Sequence, residues 1–124
     1  MAYRVHLGSL GVYVVFTESV TTDDLNGAVN KIIEYFSFEK VSYIILDFQE
    51  NSDNSINKFE LLNILKTHLT ILTRSSKIIY CIISNNDDIK IFIHNNAKEL
   101  PAERTAVVLN LDQAAWWISE NLIF

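Results

Sequence analysis

The chain has 124 residues and a mass of 14.2 kDa, is 49% hydrophobic and 20% charged, and carries 10 Lys and Arg against 15 Asp and Glu, for a formal charge of −5 and a pI near 5.0. This is the size of one domain, residues 1–124, with a single core of ordinary dimensions, and the composition is that of a folded protein rather than a disordered one. The acidic balance argues against nucleic-acid binding, which needs a basic face to neutralise phosphates, and against a polybasic membrane anchor, while protein partners of any charge stay open.

The N-terminal stretch "MAYRVHLGSLGVYVVF" lacks the basic start, unbroken apolar run and small-residue cleavage site of a signal peptide. No stretch reaches the roughly 20 apolar residues of a membrane span. The expected location is cytoplasmic. "AYRVHL" and "VYVVFT" are β-branched and aromatic runs separated by Gly8-Ser9-Leu10-Gly11, which predicts an antiparallel hairpin. "SVTTDDL" is a helix start, with Thr22 as cap and Asp23 and Asp24 in the first turn, where the helix dipole favours negative charge. Leu25, Ala28, Val29, Ile32, Ile33 and Phe36 then recur at helical spacing, with Gly27 among them.

"VSYIILDF" is the continuous apolar run of a strand covered on both faces. After it come a polar stretch and the pair Asn57 and Glu60, which resembles a capping box, and then a helical stripe through Leu62, Leu65, Leu69 and Leu72. "KIIYCIIS" is a second buried-type strand. In "NNDDIKIFIHNNAKEL" Ile89, Ile91 and Ile93 alternate like a strand, but Asn86 and two aspartates open it like a helix, so residues 88–95 are read as a short helix. "RTAVVLN" is a last strand. "LDQAAWWISENL" is a final helix with Leu111, Ala114, Ala115, Ile118 and Leu122 in one stripe. The predicted order is β-β-α-β-α-β-α-β-α, an α/β domain with a mixed, mostly parallel sheet joined by right-handed crossovers.

The residues offer little chemistry. The polar stretch after Asp47 has no glycine for a calcium loop or a phosphate cradle, and the twelfth position counted from Asp47 is Lys58 rather than a bidentate glutamate. Asp47 ends a central strand, where a receiver domain carries its phosphoacceptor. The acidic pair and lysine that such a site needs are missing, so Asp47 is expected to accept hydrogen bonds from loop amides. His6, His68 and His94 fall on separate elements without metal-binding spacing, so neither a metal nor a cofactor is implied. The single cysteine, Cys81, sits in an apolar strand as a core thiol. No nucleophile elbow or carboxylate pair suggests an enzyme.

Three stretches, "VYVVFTESVTTDDLNGAV", "YIILDFQE" and "LNLDQAAWWI", carry a resemblance to the STAS family, the fold of anti-sigma-factor antagonists. The first is similar to the family's second strand and its small-residue turn into the first helix. The second is similar to its central strand, which commonly ends in a leucine-aspartate-leucine-type motif. The third resembles the last strand and helix of a STAS-like branch in which an alanine precedes a tryptophan and a leucine; Ala114, Trp117 and Ile118 fill those places. The resemblance covers nearly the whole chain and implies a non-catalytic regulatory module that binds a protein partner or forms a homodimer.

In phosphoregulated STAS domains a serine in a D-S-S/T-G motif opens the second helix and is phosphorylated by a partner kinase. The matching region here, "NSDNSINKF", offers Ser52 and Ser55 without that motif, and Ser55 lies nearer the helix start. Phosphate there gains from the helix dipole but meets like charge at Asp53. Other STAS-like relatives resemble small-molecule or lipid-binding modules, and the apolar residues of the helices could line such a pocket. On the final helix Trp117 folds toward the flank while Trp116 points away from the core, which marks Trp116 as a candidate contact residue.

Overall fold

The alternation of the first two runs produces the expected hairpin. In a computed structural model describing residues 3–8, 11–17, 22–36, 42–48, 59, 61–63, 66, 79–84, 87–96 and 104–121, β1 (Tyr3–Leu7) pairs antiparallel with β2 (Gly11–Phe16), Val5 opposite Val14 and His6 opposite Tyr13. The Gly8 amide donates to the Gly11 carbonyl at 2.9 Å to close the turn. Gly11, grouped with the connection by sequence, is the first residue of β2. It pairs with Tyr43, and a Cβ there would fall 2.4 Å from the Tyr43 ring, so the ring lies directly on bare backbone.

Strands β3 (Tyr43–Asp47), β4 (Ile79–Ile83) and β5 (Arg104–Val108) add in parallel, giving the sheet order β1-β2-β3-β4-β5. The connecting helices are α1 (Thr22–Phe36), α2, described at residues 59, 61–63 and 66, and α3 (Asp87–Asn95). Every crossover steps one strand in the same direction, and uniform right-handed connections then put all three helices on one face. The larger core cluster has that composition: Ile32 of α1, Leu61 of α2 and Ile93 of α3 pack with Val14, Leu46 and Ile82 of the sheet. Helix α1 begins at Thr22, the residue expected to open it, with Asp23 and Asp24 in its first turn. Gly27 of α1 lets the Tyr3 hydroxyl approach to 2.8 Å from where a Cβ would stand, and Lys31 lies 5.5 Å above the Tyr3 ring.

Helix α4 (Leu111–Asn121) follows β5 and covers the opposite face, where Ala114 and Ile118 meet Ile45, Cys81 and Ile83. Strand β4 is therefore covered twice and all five of its residues are buried, as its continuous apolar run requires. Asn110 caps α4. Its side-chain oxygen accepts from the Gln113 amide, and the Gln113 side chain accepts in turn from the Leu109 amide, both at 2.9 Å.

Two sequence ambiguities are resolved by burial. Residues 88–95 lie within α3, because Ile89 and Ile93, one helical turn apart, are buried while Ile91 is exposed. The stripe of α4 is narrower than predicted. Ala114 and Ile118 are buried and Trp117 is half-buried, but Leu111 and Ala115 are exposed. Among the described residues α4 is the one helix on its face, so no neighbouring helix covers its flanks. Leu122 lies outside the described residues.

Candidate functional site

The end of β3 holds the one buried carboxylate among the described residues. Asp47 is 4% exposed, on the face that carries α4. Parallel pairing sets Val15 beside Asp47 and Ile45 beside Tyr13, so Tyr13 and Asp47 stand diagonally on the same face of neighbouring strands. The Tyr13 hydroxyl donates to Asp47 Oδ2. His6, opposite Tyr13 on β1, stacks on its ring with centroids 5.7 Å apart. The structure gives Asp47 a tyrosine hydroxyl from the neighbouring strand, a partner that becomes visible only once strand register is known; the loop whose amides the sequence offers it lies outside the described residues. The loop residues Ser52 and Ser55 lie outside the described residues, as do Asn57, Glu60 and His68.

The fold separates His6, on the α4 side of the sheet, from His94, on α3 at the other face. Among the described residues no three His, Cys, Asp or Glu side chains come together as a metal site would require. Cys81 is buried, and burial pushes its thiol up to about 12, which keeps it protonated and unreactive near neutral pH. Burial also raises the Tyr80 phenol, whose hydroxyl has no hydrogen-bond partner among the described residues.

Two surface features remain. On α4, Trp116 is 66% exposed while Trp117 packs against the core beneath it. Asp112 and Glu120, one turn to either side of Trp116, are both exposed, so the indole stands between two acids. At the far edge of the sheet, a groove of about 480 Å³ runs between α3 and β5. The sequence marks β5 as the last strand in chain order but not as an edge of the sheet, and the groove depends on that edge position.

No described helix is long and apolar enough to cross a membrane. Neither protein-family models nor the curated proteins give a match to the chain.

Proposed function

We propose that the chain is a non-catalytic, STAS-like regulatory module that acts by binding another protein through the outer face of α4. The observation that carries this reading is Trp116, a large aromatic 66% exposed on a helix whose inner stripe is already satisfied by Ala114, Trp117 and Ile118. Buried aromatic anchors dominate protein interfaces, and a cation placed over an indole adds about 0.5–2 kcal/mol. The order of elements, a hairpin followed by three crossovers and a final helix on the opposite face, supports the STAS-like assignment.

The acids around Trp116 favour a partner with a basic rim. An antiparallel contact between two α4 helices centred on Trp116 would set Asp112 of one copy near Glu120 of the other, and like charges so placed oppose a homodimer at low salt. Light scattering of wild type and Trp116→Ala, together with affinity capture, tests the proposal. The expected result is loss of captured partner, or of self-association, at an unchanged melting temperature. Equal association by both proteins would remove α4 as the contact surface.

A second reading, a small-molecule or lipid-binding module, is favoured by the groove between α3 and β5. Its volume of about 480 Å³ falls within the ~300–1,000 Å³ typical of ligand sites.

A further inference from the structure

The groove between α3 and β5 is lined by Thr105, Ala106 and Val107, three consecutive residues of one strand. Successive strand side chains point to opposite faces of a sheet, so a concavity that touches three in a row follows the margin of the strand rather than lying over a face. Strand β5 is last in the sheet order and pairs only with β4 among the described residues. The outward half of its amides and carbonyls has no strand partner among the described residues, and the groove runs along that side. An edge of this kind is a template for another strand unless it is blocked by charge, proline or a covering element. Residues 104–108 contain no proline, and their one charge is Arg104 at the start of the strand.

The opposite wall is α3. Ile91, 59% exposed, supplies apolar surface, and Lys90 and His94, one turn apart, line the same groove, with Asp87 at its end one turn before Lys90. Neither Lys90 nor His94 makes an ion pair with another described residue. A purely apolar ligand would satisfy neither the strand edge nor these two polar side chains. An extended peptide satisfies both, its backbone pairing with β5 and an acidic side chain reaching Lys90 across the groove. We infer that the groove is a peptide-binding site in which an extended segment carrying an acidic residue adds as a sixth strand beside β5. This site is separate from the α4 surface, on a different helix, and the two can fail independently.

The test titrates the full chain with the capped hexapeptide TVEVTV while following backbone amide shifts and hydrogen exchange. The inference predicts shifts confined to residues 87–95 and 104–108, with at least fivefold slower exchange in β5. Methylating alternate peptide amides should weaken binding at least tenfold, and either TVQVTV or Lys90→Gln should weaken it at least threefold. Lys90 is exposed, so its substitution leaves the fold intact. Binding that survives amide methylation would overturn strand addition. Shifts centred on Trp116, or no shifts at all, would remove the site. Decanoate binding in the groove where the peptide does not would replace the peptide by a small amphipathic ligand.

Discussion

Tyr13 and Tyr80 put the same hydroxyl in opposite circumstances. Tyr13 donates to a buried carboxylate, whereas the Tyr80 hydroxyl is buried without a partner among the described residues. Removing a donor from a buried charged acceptor costs about 1–3 kcal/mol, while removing an unsatisfied hydroxyl is neutral or favourable. Urea denaturation should therefore show Tyr13→Phe less stable by about 1–3 kcal/mol and Tyr80→Phe no less stable than wild type. Titration adds a pH signature. Burial raises both the Cys81 thiol and the Tyr80 phenol above their ordinary values of 9.0 and 10.0, so above pH 9 the unfolded chain ionises first and holds fewer protons than the folded one. Stability must then fall as pH rises, beginning near 9 and, for Cys81, continuing to about 12. The urea midpoint should drop from pH 8 to pH 11, and the drop should be shallower in Cys81→Ala.

At the scale of elements, α4 is the helix whose position matters most for the proposed function, and its start is fixed by side chains. The reciprocal bonds of Asn110 and Gln113 satisfy two amides where β5 gives way to α4. Asn110→Ala should cost about 1 kcal/mol in chemical denaturation, as loss of an N-cap does elsewhere. The Asn-x-x-Gln spacing that makes this cap is legible in "NLDQ", although the sequence reading took Asn110 as the end of a strand. Other elements were read from patterns with a direct physical cause. The continuous apolar run of β4 reflects its two covered faces, and the Asn-Asp-Asp start outweighed the isoleucine alternation of α3. What the pattern could not supply was the breadth of each buried stripe. That depends on how many helices share a face, and α4 buries less than its apolar residues suggest because the described residues give it no neighbour there.

At the scale of the molecule, the uniform direction of the crossovers makes the two faces unequal. Among the described residues three helices cover one face, while α4 lies over β3, β4 and β5 on the other and leaves Arg4 and His6 exposed beside it. Both proposed surface sites follow from this asymmetry and from the place of β5 as the last strand of the sheet among the described residues. Neither the Tyr13–Asp47 bond nor the groove could be read from the sequence, because each depends on which strands are neighbours. Trp116 could be read, because helical spacing alone places it opposite the buried stripe. Its acidic surroundings agree with the net charge of −5 and point toward a basic partner.

Contact of α4 with another protein at Trp116 can be read by photo-crosslinking in cells from an unnatural side chain at position 116, with position 30 on the exposed side of α1 as reference. The expected result is a discrete covalent adduct with a second polypeptide from position 116 and none of comparable yield from position 30. Adducts of equal yield from the two positions, or none from position 116, would contradict it.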